Sequence, residues 1–484
     1  MKAVVFIRPT QENIQLLSNE LKKPRFGKYY LYFSNTISKS DVKVLAESDE
    51  QESVCDIQEF FADFYALDRR HFTLNLPPCA YQFTWTQQQL ARCCQGVAAA
   101  ALALKKRPVI RYAGVSDMCK RLAESIGHMV AREAGLFDFR DSASTLLLIV
   151  DRRQDPVTPL LNQWTYEAMT HELVGISNGR VSFDSRANVD KSLSEIVLSP
   201  LQDQFYQQNL SKNFGEIGVA IKKLMEEFQA KTKSQQKVES IQDMKNFVEN
   251  YPQFKKMSGA VSKHVTLVSE LSRIVAAGNL MEISELEQDI TCGSDHADIL
   301  QRLRAMMKNQ KTSSYEALRL VALYTLRYGG RASNSSSSLI QTANHRNGRR
   351  VVDALTRYSL QQFSKEEERD IAKAFSITKR FFKDLQGVEN VYTQHKPALV
   401  KSLLEQCVQG RLREGDYPTV GIHTVQKPSE VIVFVVGGST YEEIAYVESF
   451  NQSTPGVNVV LGGTCVHNSR SFIDEVMNAC GGRD

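Results

Sequence analysis

Asp151 and Asp155 stand four residues apart, immediately after the apolar run Leu146–Val150. Carboxylates just beyond the carboxyl end of a parallel strand are where α/β enzymes hold a metal ion or a phosphoryl group, so this pair is the first place to look for chemistry. The neighbouring residues favour a structural role. Asp155 precedes Pro156, a capping or turn combination, and Asp151 beside Arg152 offers neutralising charges for a buried turn that continues through Thr158 and Pro159. Two glycine pairs suggest a different chemistry: Val436-Gly437-Gly438-Ser439-Thr440 and Leu461-Gly462-Gly463-Thr464 could aim backbone N–H groups at a phosphate where a helix begins. Neither contains GxxxxGK[ST] or GxGxxG, so tight strand-to-helix turns are the simpler reading. An α/β nucleotide-binding protein or enzyme using the loops after Val150, Val436 and Leu461 is the rival that this leaves.

Metal chemistry has less support. His171-Glu172 lacks the second histidine of HExxH, because Gly175 stands there. Cys465-Val466-His467 could supply two ligands without an evident complement and reads as a packed cysteine beside a surface histidine. The 9 cysteines are scattered with no CxxC, as in a protein whose thiols stay reduced. No catalytic residue, metal or cofactor is expected.

The elements that must position these residues alternate. Short β-branched runs at Ala3–Ile7, Tyr29–Phe33, Phe72–Leu76, Val109–Tyr112 and Leu146–Val150 have helical patterns between several of them, which predicts parallel sheets. Two more strands, Val431–Val436 and Val457–Leu461, follow only near the C-terminus. Two strands alone make a poor sheet, so the simplest architecture closes one sheet from both sets and inserts residues 179–387 as a mainly helical domain. Within the insert, apolar residues from Phe205 to Phe228 and from Ile241 to Leu271 step by three and four, predicting two long antiparallel helices over 205–275 joined by the polar connector Gln229–Glu239. Pro252 lies inside the second run and should bend or locally break it. Ser333–Ser338 and Asn344–Arg350 read as surface loop.

A net charge of +4, from 59 Lys+Arg against 55 Asp+Glu, gives no reason to expect nucleic acid. The longest apolar runs fall far short of the roughly 18–20 residues of a membrane span, and the N-terminal run is too quickly followed by charge for a secretory signal. A cytosolic protein that meets membranes only indirectly follows.

Asp151-Arg-x-x-Asp155-x-x-Thr158-Pro159-Leu160-Leu161-x-x-x-Thr165-Tyr166-x-x-Met169 resembles the signature of the SM (Sec/Munc) family of syntaxin-binding proteins. Asn250–Lys256, Gly387–His395 and the stretch from Val431 through Thr454-Pro455-Gly456 to Thr464 agree with it, and point to the subgroup serving vacuolar protein sorting. The resemblance covers nearly the whole chain. It implies an arch of three domains: residues 1–70 as an incomplete first α/β domain, 71–178 with 388–484 as the central α/β domain, and 179–387 as the inserted helical domain. It implies, as partners, a syntaxin-type SNARE and assembled or assembling SNARE helices, with membranes reached through them by a monomer on Golgi or endosomal membranes. The hairpin, bent at Pro252, would extend to template paired SNARE helices. His264 and Val265 fall where the family contacts the vesicle SNARE, with hairpin packing as the equal alternative reading of each. Val42, Leu45 and Val54 fall near the outer pocket for a syntaxin's N-terminal peptide, or in the core beside it. Family members have a further strand and helix before Ala3, so the chain is expected to start inside its first domain, leaving a sheet edge exposed.

Overall fold

The structure, a computed structural model, describes residues 1–76, 81–139, 145–183, 193–235, 241–292, 296–328, 333–361, 397–421 and 427–481. The chain begins with β1 (Lys2–Ile7), α1 (Gln11–Lys22), β2 (Lys28–Phe33), α2 (Lys39–Ser48) and β3 (Val54–Glu59). Then come β4 (Tyr65–Ala66), β5 (His71–Thr73), α3 (Gln87–Ala103), β6 (Val109–Tyr112), α4 (Asp117–Arg132), β7 (Thr145–Asp151) and α5 (Tyr166–Leu173). A small hairpin of β8 (Arg180–Ser182) and β9 (Glu195–Val197) leads into α6 (Gln204–Asn209), α7 (Phe214–Gln235), α8 (Ile241–Gly278), α9 (Leu280–Cys292), α10 (His296–Lys308), α11 (Ser314–Tyr328), α12 (Ser333–Ala343) and α13 (Gly348–Gln361). The chain closes with α14 (Ala398–Val408), β10 (Glu430–Val436), α15 (Tyr441–Ser453), β11 (Asn458–Gly463) and α16 (Ser469–Ala479).

The fold is α/β with a large helical part, as the alternation of patterns predicts. Strands β1, β2 and β3 form one parallel sheet in that order, with a core of its own from Ile14, Leu17 and Leu21 on α1, Leu45 on α2, and Tyr29, Leu31 and Phe33 on β2. Thr10 and Ser38 start α1 and α2 by accepting the N–H three residues on. The second sheet runs β4-β5-β11-β10-β7-β6, parallel except at β4. Strands from the two ends of the chain therefore share it: Val150 is in register with Val435, and Val433 with Leu461. Every residue of β7 is buried, as expected of a strand covered on both faces.

Three local expectations change. Ser333–Ala343 is helix α12 rather than loop, because Leu339 and Ala343 bury one face against the largely buried α11, and that packing outweighs the weak helix preference of serine. Helix α7 extends to Gln235, well into the stretch read as a connector. Helix α8 runs through Pro252 as one element, so the proline does not break it; a single missing N–H removes one bond of a long ladder. The side chain of Pro252 and the block Gly387–His395 lie outside the described residues.

Candidate functional site

The signature segment turns out to be a buried electrostatic knot at the carboxyl end of β7. Asp151 caps the short helical turn that follows and accepts three contacts from Arg153 between 2.6 and 3.1 Å and one from the Ser116 hydroxyl at 2.5 Å. Burial alone would raise the Asp151 carboxyl, but the Arg153 charge and these hydrogen bonds hold it below the usual carboxylate range. Its neutralising partner is thus Arg153, not the adjacent Arg152. Arg152 turns the other way, donating to Glu443 Oε1 and Oε2 at 2.6 and 2.7 Å, to the Gly438 carbonyl at 3.0 Å and to the Asp155 carbonyl at 3.2 Å. Burial opposes the Arg152 charge, and the carboxylates of Glu443 and Asp155 outweigh it. Asp155 caps the next turn, accepting the Thr158 N–H at 3.0 Å and its hydroxyl at 2.5 Å, while Pro159 sits buried in that turn.

This knot answers the phosphate question. Thr440 and Glu443 form a capping box at the start of α15, and Glu443 Oε2 accepts the Thr440 N–H at 2.8 Å. The helix N-terminus after Val436 is occupied by the chain's own carboxylate. Gly438, at φ +90°, lies so close to His467 that a Cβ would come within 2.4 Å of the ring, and a Cβ on Gly462 would meet the Phe72 ring at 2.1 Å. The glycines serve tight packing between strand ends. His467 is buried rather than on the surface, held by the Ser471 hydroxyl at 3.0 Å and lying 3.3 Å from the Cys465 sulfur. Among the described residues no group of three or more His, Cys, Asp or Glu is placed to hold a metal.

A second network roots the α7–α8 hairpin on the body. His264 on α8 is 0% exposed. Its Nε2 lies 2.9 Å from Asp203 Oδ2, and its Nδ1 2.8 Å from the Tyr166 hydroxyl. Burial lowers the His264 pKa and Asp203 restores only part of it, so the ring is neutral, donates from Nε2 to Asp203 and accepts from Tyr166. Lys263 also binds Asp203, which in turn caps α6 by accepting the Tyr206 N–H at 3.0 Å. Val265 is partly buried against the same core. In this structure His264 is thus a buried residue packed at the hairpin's foot. Deeper in, the Tyr206 hydroxyl donates to Glu167 at 2.8 Å, and burial pushes that carboxyl up to about 8.

The third network joins α5, α9, α11 and α16. Buried Arg319 binds Glu172 at 3.2 Å, Glu316 at 3.3 Å and Glu287, while Glu287 accepts the Asn162 N–H at 2.9 Å and Glu172 accepts the Ser469 N–H at 2.8 Å. In the first sheet, Leu45 is 1% exposed and fully in the core, with Val42 and Val54 half-buried beside it.

Above its foot the hairpin frames an open groove of about 1110 Å³ between α6, α7 and α8. Its apolar wall includes Phe205, Leu224, Val197 and Val219, the last two 50% and 71% exposed, and its rim carries Lys223, Lys263, Glu216 and Glu227. An apolar strip edged by both signs of charge suits an amphipathic helix laid along it. Sequence reasoning missed Arg153, Asp203, Arg319 and Glu443. Only Thr440-x-x-Glu443 carried a local signal, that of a capping box.

The Sec1 family model matches residues 1–475. Human vacuolar protein sorting-associated protein 45 is 49% identical over 484 residues, covering 99% of this chain and 85% of the relative, and its Arabidopsis thaliana homolog is 44% identical with 99% and 86% covered. Among solved structures, the SM protein Vps45 in complex with the Qa SNARE Tlg2 (1-310) superposes with a TM-score of 0.88 at 44% identity, over 99% of this chain and 86% of that one. The fold is thus one already seen in a solved SM protein, and the chain belongs to the Sec1 family.

Proposed function

We propose that the chain is a SNARE-binding regulator of vesicle docking and membrane fusion in endosome, trans-Golgi and vacuolar transport. It grips a syntaxin 16-type SNARE, templates its pairing with partner SNARE helices, and makes or breaks no covalent bond. The observation that carries this is the likeness, along 99% of the chain, to an SM protein solved with a Qa SNARE bound. The α7–α8 hairpin with its apolar groove is the surface on which helices would be paired. His264 and Val265 act from below, by fixing the angle at which the hairpin leaves the body.

In the same reading, residues 1–70, 71–178 with 388–484, and 179–387 are the three domains of the arch. A syntaxin's N-terminal peptide docks beside Val42 and Val54 with Leu45 as the floor behind them. The protein works as a cytoplasmic monomer attached peripherally to Golgi or endosomal membranes; among the described residues no helix is long and apolar enough to cross one.

The test is binding of the purified chain to the cytosolic part of a syntaxin 16-type SNARE, with and without its N-terminal peptide, by calorimetry. Saturable binding is expected, weakened when the peptide is removed. No heat up to about 50 μM, where even a contact worth only about 6 kcal/mol would register, rejects the proposal.

A further inference from the structure

Residues 296–361, which span α10 to α13, hold eleven Lys and Arg against three acids, Asp298, Glu316 and Asp353. That is a formal +8 in a chain whose total is +4, so the remainder is net acidic. Part of this charge is already paired: Arg319 is buried among Glu172, Glu287 and Glu316, and the half-exposed Arg302 reaches Asp289 at 2.5 Å with Glu285 and Asp298 nearby. The rest faces out. Arg304, Lys308 and Lys311 follow one another at helical spacing along the exposed side of α10 and the turn after it. Arg346, in the turn before α13, and Arg349, Arg350 and Arg357 on it do the same, while the other side of α13, from Val351 to Tyr358, is buried.

Helix α12 packs against both α10 and α13, and its sequence, SNSSSSLIQTA, contains no charge. Two basic stripes thus flank a hydroxyl-rich helix. Among the described residues, Arg304, Lys308, Lys311 and Arg346 make no ion pair, and Arg349 meets Asp353 only at 3.9 Å with its side chain 82% exposed. Cations left this way in solvent attract a counter-surface from a distance set by the ionic strength.

What that counter-surface is follows from what the layer lacks. Protein partners are anchored by large apolar side chains in the centre of the contact, with charges at the rim. Among the described residues, none of the exposed large apolar side chains belongs to α10–α13. A layer of cations and hydroxyls without an anchor suits a plane of negative headgroups rather than an acidic protein.

We propose that the α10–α12–α13 layer docks directly on the anionic headgroups of a membrane surface, in addition to any attachment through SNAREs. The inference rests on charge and exposure alone and stands whether or not a SNARE is bound.

Flotation of the full chain with phosphatidylcholine vesicles, with and without phosphatidylserine and in the absence of SNAREs, tests it. The chain should float with the anionic vesicles, and added salt should release it. A combined Arg304→Gln, Lys308→Gln, Arg346→Gln, Arg349→Gln variant should bind about tenfold more weakly or worse. A control variant, with Lys22, Lys23, Lys39 and Lys43 of the first sheet's helices changed to Gln, should bind as the parent does. Both should melt within a few degrees of the parent, since all eight positions are exposed. Equal flotation with neutral and anionic vesicles, or equal loss in the two variants, overturns the proposal. So does absent vesicle binding together with polyglutamate binding that the α10–α13 variant loses, which would assign the layer to an acidic protein.

Discussion

Arg152 is fully buried and serves three elements at once: its own turn, the carbonyl of Gly438 at the end of β10, and Glu443 in the first turn of α15. Removing it leaves Glu443 buried without its cation. Arg152→Met should therefore cost about 3–5 kcal/mol of stability, read from the denaturant midpoint, whereas adding Glu443→Leu should restore a large part of it. A double variant no more stable than the single one would show that the ion pair is not what the turn depends on. Part of this knot was legible locally. Asp155 with Pro156 and Thr158 forms a cap within four residues, and spacing alone identifies it. The partner of Arg152 lies 291 residues away, and which strand ends meet is a property of the sheet order that no local spacing carries. His264 shows the same limit. A histidine on a helical apolar face looks alike in sequence whether it contacts a partner or, as here, closes a buried network through Asp203 and Tyr166.

Among the elements, α8 is the one on which the proposed templating rests. It is anchored through Lys263, His264 and Val265 in its C-terminal half and packs against α7, and Pro252 lies in its N-terminal half. A proline inside a helix costs about 3 kcal/mol relative to alanine, so Pro252 keeps this half weaker than its length suggests. Pro252→Ala should stiffen and straighten it and raise the rate of SNARE assembly measured by donor–acceptor fluorescence on the SNARE helices. An unchanged rate would mean that the hairpin is a fixed platform rather than a hinge. Periodicity identified both helices of the hairpin, because their apolar faces recur over many turns. It missed α12, where eleven residues rich in serine are held by two buried apolar positions, too few to register as a pattern.

For the molecule as a whole, buried titratable groups set the pH of greatest stability. Burial pushes Glu167 up to about 8 and Glu287, Glu442 and Glu448 up to about 7. For raised carboxyls the stabilising contribution is complete below the unfolded value near 4.5 and is lost as pH climbs through 7 to 8. Burial lowers His71 and His467 to about 3 and His171 to about 4; for these the contribution is complete above 6.5 and is lost as pH falls toward those values. The melting temperature should thus peak at about pH 5–6 and fall on both sides, and a peak at pH 8 or above would refute the balance. The mixed origin of the main sheet was foreseeable from two orphan strands near the C-terminus, but its order was not. That order makes β10 and β11, which the ribosome delivers only after the helices α6–α13, the middle of the sheet. Val150 waits for Val435 through about 285 further residues, roughly 15–60 s of synthesis, while β7 stands with one edge unpaired and the helices α6–α13 emerge first. A premature stop codon between those of Val436 and Asn458 would not trim a tail, because it removes β11, which joins β5 to β10. It would cut the sheet in two at its centre and leave the nascent chain to the quality-control machinery.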